Sequence, residues 1–264
     1  MAAVIRSIDA PRGTTLLEQT MPRKIPGSDH GGQADIPLPS SHGTSPWEQQ
    51  YRDDGRIWGE GPGELARIAL RYLDDNLPHG IPLAVLDLGC GYGRDSIAYA
   101  RRPGCSVIGI DQSATAIARA REGAGEAVPS RLEFRCRDLR SFRGGPFDIV
   151  HLSNVYQILL PPERSSVREV TGNTLKPGGL LFLSTLSIRD PQQYGKGTPV
   201  EGEEHSFIEP TRNIYLHFCT GDELARDFHG FGIVQLREHE YTEARVGGDH
   251  HHISWILIAR KPVS

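Results

Sequence analysis

From Trp47 onward the chain alternates between short apolar runs and stretches whose apolar residues recur at helical spacing. Leu65, Ile68, Ala69 and Tyr72 fall three or four apart within Glu64–Leu73, which predicts a helix. Leu83–Leu88 is a short apolar run closed by glycines, as in a buried strand. Asp95–Arg101 then reads as a helix, Ser106–Asp111 as a strand and Ala114–Glu122 as a helix. Leu132–Cys136 and Phe147–Leu152 read as strands, Pro162–Leu175 as a helix and Leu180–Leu186 as a strand. Short buried strands separated by helices need crossover connections, so they run parallel with helices on both faces. The end of the chain breaks this rhythm. Phe231–His239 and Ile253–Ala259 are joined without a helix, through a turn-rich link containing Gly247-Gly248-Asp249. That predicts a hairpin, with the last strand antiparallel to the others.

Residues 1–45 are rich in Pro, Gly, Ser and Thr and hold no sustained period. A poorly ordered tail ahead of one domain, residues 46–264, is the expectation; an arm packed on a partner is the alternative. The formal charge of −4 gives no basic surplus, which argues against nucleic acid as partner. Cys90, Cys105, Cys136 and Cys219 form no CxxC pair, so they read as reduced thiols. No apolar run approaches the roughly 20 residues of a membrane span, and no signal-peptide pattern opens the chain. A cytoplasmic protein, monomer or homodimer, is expected.

The strongest chemical signal is Val85-Leu86-Asp87-Leu88-Gly89-Cys90-Gly91-Tyr92-Gly93-Arg94-Asp95. A strand runs into three alternate glycines and then a helix. Glycine lets the backbone turn sharply and approach a ligand closely, and the helix start offers free N–H groups to an anionic group. Asp111 ends the next strand, where an acid accepts hydrogen bonds from ribose hydroxyls. Asp138 follows the third strand, placed for an adenine amino group, with Leu139 against the ring. A dinucleotide fingerprint, GxGxxG, would want glycine or alanine where this chain has Arg94. The GxGxG pattern, with Asp87 two residues ahead, resembles the first motif of the Rossmann-like (class I) S-adenosylmethionine-dependent methyltransferases. The resemblance spans roughly residues 60–261 and includes Asp111, Asp138 and Leu175-Lys176-Pro177-Gly178-Gly179. It implies an α/β fold with a seven-stranded sheet in the order 3-2-1-4-5-7-6, the seventh strand antiparallel. It also implies S-adenosylmethionine as cofactor, with Gly89, Gly91 and Gly93 at its methionine end and Asp87 orienting the loop or the amino group. Cys90, Gln112 and Ser153 complete the expected cofactor-binding set with Asp111, Asp138 and Leu139.

The acceptor is less legible. In the resembled family the loop after strand four faces the transferred methyl; here it is Leu152-Ser153-Asn154-Val155-Tyr156-Gln157. It lacks the Pro-Pro of enzymes that methylate adenine or glutamine amino groups, although Asn154 and Tyr156 remain candidate substrate contacts. Trp47, Tyr51 and Trp58, within residues 47–61, are candidates for a lid, because aromatic faces attract a sulfonium cation. Residues 187–219 form a long insert with Tyr194, His205, Tyr215 and His217, and such connections are usually functional loops or disorder. In His250-His251-His252 only the first and third share a strand face, so no metal is expected. An antiparallel last strand would bring its start to the sheet edge where open α/β sheets bind ligands. His151, His205, His217 and His250 are therefore candidate bases, and His252 a candidate substrate contact. The layout is loosely similar to the small-molecule branch that includes tellurite-resistance-type and thiol methyltransferases. RNA or protein methylation, nicotinamide-dependent oxidoreduction and noncatalytic binding are the alternatives.

Overall fold

A computed structural model describes residues 46–54, 58–125, 131–245 and 248–263. The tail expected over residues 1–45 lies outside them, as do Gly247 of the hairpin link and residues 55–57 of the expected lid. The first half of the chain forms α1 (Pro46–Asp54), α2 (Glu64–Asn76), β1 (Leu83–Leu88), α3 (Arg94–Arg101), β2 (Cys105–Asp111), α4 (Ala114–Ala124) and β3 (Leu132–Cys136). There follow β4 (Phe147–Ser153), α5 (Pro161–Thr174) and β5 (Leu175–Leu186). An insert holds β6 (Thr198–Pro199), β7 (Ser206–Glu209) and β8 (Ile214–His217), and the chain closes with α6 (Gly221–Asp227), β9 (Gly232–Arg245) and β10 (Gly248–Arg260).

The main sheet runs β3-β2-β1-β4-β5-β10-β9. Its first five strands are parallel, and β10 is antiparallel to both β5 and β9. With the insert strands set aside, this is the order 3-2-1-4-5-7-6 expected from the sequence. Alternate strand residues feed two apolar layers. Val85, Val107, Ile149, Phe182 and Ile256 pack under Leu65, Ala69 and Leu73 of α2 and Tyr99 of α3. Leu86, Ile110, Val150, Leu183 and Leu257 face Val167 and Val170 of α5 and Leu224 and Phe228 of α6. Among the described residues no helix is long and apolar enough to cross a membrane.

Three boundaries differ from the sequence reading. Helix α5 stops at Thr174, and the Lys-Pro-Gly-Gly run lies inside β5, because Pro177 cannot donate to a helix ladder. The β9–β10 ladder continues to Arg245 and Gly248, so His250–His252 lie in a strand rather than a link. The insert is built, not loose: β6–β8 pair antiparallel, and Leu186, Ile214, Leu216 and Phe218 form a small core of their own with Phe207 and Tyr194.

Candidate active site

The parallel strands end at one edge, and the turn after β1 shapes the site there. Gly89 and Gly91 adopt φ of 77° and 53°, in the left-handed region that a side chain resists. A Cβ on Gly89 would lie 2.4 Å from Val155 Cγ2, and one on Gly91 2.6 Å from the Tyr51 hydroxyl. The Gly89 and Cys90 N–H groups both donate to the Ile110 carbonyl, at 2.8 and 2.9 Å, which pins the loop to β2. Asp111, at the end of β2, accepts from Gly91 N at 2.9 Å and Ser113 N at 2.8 Å. Burial pushes its carboxyl above the usual range, opposed by these two bonds.

Helix α1 forms one wall. Glu48 accepts from Ser113 Oγ at 2.5 Å and Thr115 Oγ1 at 2.6 Å, at the N-terminus of α4. Burial opposes its charge, but these bonds prevail and hold its carboxyl down to about 2. Tyr51 is buried, edge-on to Trp58 and Tyr92, while Trp58 and Tyr92 stack at 6.3 Å between ring centroids. Tyr92 Oη accepts from Trp58 N at 3.0 Å and donates to the Gly59 carbonyl at 2.8 Å.

A buried charge cluster supports the loop from below. Asp95 accepts from Gly63 N at 2.6 Å and lies 3.1 Å from His151 Nε2, whose Nδ1 is 3.1 Å from Tyr99 Oη. Burial disfavours the Asp95 charge, yet the His151 bond and charge hold its carboxyl at about 2. Burial also opposes charging His151, but Asp95 and Asp87 outweigh it and raise its pKa. Asp87 accepts from Ser96 Oγ at 2.5 Å and is pushed up to about 6, by burial first and by the neighbouring Asp95 and Asp111 charges.

These parts line a cleft whose free space, open mouth included, is about 830 Å³. Of the sequence candidates, Trp47, Tyr51, Trp58, Asp87, Gly89, Cys90, Gly91, Asp111, Gln112, Leu139, Ser153 and Asn154 line it. Tyr92, Arg94, Asp95, Val155 and Ile158 line it as well and were not foreseen. Tyr92 and Arg94 sit inside the glycine motif itself, where the glycine spacing drew all the weight.

Other candidates stand elsewhere. Gly93 caps α3 and packs beneath Phe134. Asp138 is drawn away by Arg140, which donates to both its oxygens, at 2.8 and 2.6 Å. His151 is fully buried under the glycine loop, so the expectation of a base facing the acceptor is corrected. His205 bonds Tyr194 Oη at 2.8 Å inside the insert, and Tyr194 packs on Phe207 and Phe218. His217 is held by Ser206 at 2.9 Å and Glu223 at 2.7 Å, while Tyr215 donates to Glu203 at 2.6 Å. These bonds occupy the polar side chains of the insert, and none of them lines the cleft. Tyr156 turns inward to Asp227 and Arg168. His250 stacks on His252, whose ring is buried against Asp190. His217, Cys219 and Glu223 bring three ligand-type atoms within 4.8 Å of one another, a grouping the sequence did not suggest.

A glycine turn opening a helix, with an acid at the end of the next strand, is the arrangement by which open α/β sheets hold nucleoside ligands at the ends of their strands. Residues 85–179 match a family described as a methyltransferase domain. A ubiquinone biosynthesis O-methyltransferase of Acinetobacter baylyi is 30% identical over 175 residues, 64% of this chain and 71% of the relative. A carboxy-S-adenosyl-L-methionine synthase of Chromohalobacter salexigens is 34% identical over 140 residues, 52% of this chain; the match spans 50% of that relative's length. The fold overlays on an S-adenosylmethionine-dependent methyltransferase of Methanosarcina mazei with a TM-score of 0.61 at 25% identity, covering 73% of this chain and 98% of that one. The chain belongs to the class I S-adenosylmethionine-dependent methyltransferases. It is an enzyme of that kind, and S-adenosylmethionine is its cofactor.

Proposed function

We propose that this enzyme methylates a small molecule held at the ends of β4, β5 and β10. The observation that carries the reading is the wall that Trp47 and Tyr51 of α1 and Trp58 raise along one side of the cleft, an aromatic lining of the kind small-molecule sites use. The relatives named as ubiquinone biosynthesis O-methyltransferases support it. S-adenosylmethionine supplies an electrophilic methyl on a sulfonium. In this reading Asp111 accepts from the ribose hydroxyls, Leu139 covers the adenine, and the Gly89–Gly91 backbone faces the methionine end. Trp47, Tyr51 and Trp58 offer aromatic faces to the sulfonium and keep water out, and alignment in a dry cleft lowers the barrier. Asp138, bound by Arg140, would hold the adenine amino group only after that pair opens.

Calorimetry with S-adenosylmethionine and NADH, followed by a methyl-transfer screen of small hydroxy, amino and thiol compounds, tests the reading. Binding of the first ligand alone, with turnover of a small acceptor, is the expected outcome. Turnover confined to RNA or protein would overturn it.

A further inference from the structure

The insert and helix α6 meet at a cluster of metal-ligating side chains that the cofactor cleft does not use. His217 ends β8, Cys219 bridges to Ser187 two residues on, and Glu223 stands in the first turn of α6. Alternate residues of an extended segment share a side, and the helix that starts at Gly221 brings Glu223 back to it. A ring nitrogen of His217, Cys219 Sγ and a carboxylate oxygen of Glu223 all lie within 4.8 Å of one another. His217 and Cys219 are buried, whereas the Glu223 side chain is 17% exposed, so the cluster opens on one side. None of the three lines the cofactor cleft.

Each donor is held from behind. Ser206 Oγ lies 2.9 Å from His217 Nδ1, which turns Nε2 to the cluster. The Cys219 N–H donates to the Leu186 carbonyl at 2.8 Å, and the Cys219 carbonyl accepts from Trp255 Nε1 at 2.9 Å. Thr185 Oγ1 stands 3.8 Å from Sγ. The Glu223 N–H donates at 3.1 Å to Thr220 Oγ1, the N-cap of α6. A hydroxyl on the far nitrogen of a histidine is the kind of outer partner that orients metal ligands. One sulfur, one nitrogen and one oxygen donor form a zinc set, whereas calcium and magnesium take oxygen alone. The nearby Arg164 guanidinium donates to the Leu159 carbonyl and the Tyr215 hydroxyl, away from the cluster.

We propose that His217, Cys219 and Glu223 bind one zinc ion, leaving its fourth position to water on the open side, and that the ion joins the insert to α6. This is independent of the small-molecule reading. His217 Nε2 and Glu223 Oε1 are 2.7 Å apart, a contact held by one proton. Ligand atoms around tetrahedral zinc stand roughly 3.3–3.8 Å apart, so the ion has to part these two by about 0.5–1 Å. Glu223, the partly exposed partner, is the one that moves. The Cys219 thiol proton leaves to solvent, and the bound imidazole keeps its proton on Nδ1, towards Ser206. A thiolate and a carboxylate then meet the double charge of the ion.

The test uses the full chain without a histidine tag, stripped by a chelator and titrated with zinc chloride or cobalt chloride. Elemental analysis after gel filtration is expected to find zinc in a one-to-one ratio. The cobalt form is expected to show a thiolate-to-metal charge-transfer band, which Cys219→Ser removes and substitution of the exposed Cys136 by serine leaves in place. Ser206→Ala is expected to weaken zinc roughly tenfold against a chelating dye, the loss of an outer partner. X-ray absorption at the zinc edge of the wild-type chain needs no variant and is expected to find one sulfur neighbour among nitrogen and oxygen. Absence of stoichiometric zinc, a zinc edge without sulfur, or a cobalt band that survives Cys219→Ser overturns the proposal. Metal held by His250–His252 instead would give no sulfur signal and so counts against it.

Discussion

Asp111→Asn tests how one carboxylate joins the stability of the site to its affinity. Asp111 receives Gly91 N on one oxygen at 2.9 Å and Ser113 N on the other at 2.8 Å. An amide offers one oxygen, so one of these buried N–H groups must face an NH₂ group. Leaving a buried donor unsatisfied costs about 1–3 kcal/mol, and the ribose would lose a charged acceptor worth about 1.5–3 kcal/mol. Urea unfolding is therefore expected to show a lower midpoint with an unchanged m-value. Calorimetry is expected to show S-adenosylmethionine binding roughly 10–100-fold more weakly. An unchanged midpoint would refute the claim that this carboxylate holds the glycine loop. A lowered midpoint with unchanged affinity would take Asp111 away from the ribose.

Gly91→Ala forces a side chain onto φ of 53° and against the Tyr51 hydroxyl, so it should cost roughly 1–3 kcal/mol in thermal or urea unfolding and weaken the cofactor. Tyr156→Phe removes the hydroxyl that meets Asp227 and Arg168, and should lower stability by about 1–2 kcal/mol while calorimetry finds cofactor affinity unchanged; a selective affinity loss would return Tyr156 to the site. With Asp87 raised to about 6 from 3.8, the folded chain binds protons more tightly than the unfolded one over that window. Stability of the unliganded protein should therefore rise, on the order of 1–3 kcal/mol, as pH falls from about 7 towards 4, and Asp87→Asn should flatten that limb. His151, also raised, acts in the same direction. Asp95, held at about 2, acts oppositely, and its contribution is lost as pH falls from 3.8 through 2.

The core of the fold was legible because parallel strands buried on both faces leave apolar runs, as Leu83–Leu86 and Leu180–Leu183 do. The glycine side of the cleft was legible for a related reason: Gly89, Gly91 and Asp111 answer to local backbone geometry, which spacing records. Histidines carry no such record. His151, His205 and His217 have the same chemistry in sequence, and only the partners that the fold turns towards them, Asp95, Tyr194 and Glu223, decide that each is occupied away from the cleft. The reach of β9 and β10 was hidden as well, because the ladder near Tyr241 and His252 holds polar residues and loses the apolar alternation that marks a strand. Asp190 gave no sign at all; it meets His252 across 62 residues.

The reversed direction of β10 divides the gene into two parts that selection can address separately. The family match, residues 85–179, takes in the glycine loop, Asp111 and Leu139. Tyr241 and His252 come later in the chain and reach the same edge by opposite routes: β9 runs with the first five strands, so its far end arrives there, and β10 runs against them, so its start does. On the proposed reading, mutation of the final hairpin changes which molecule is methylated while the donor stays the same. Related enzymes can thus diverge in product through changes beyond residue 179, a separation of inherited chemistry from acquired choice that suits so versatile a fold.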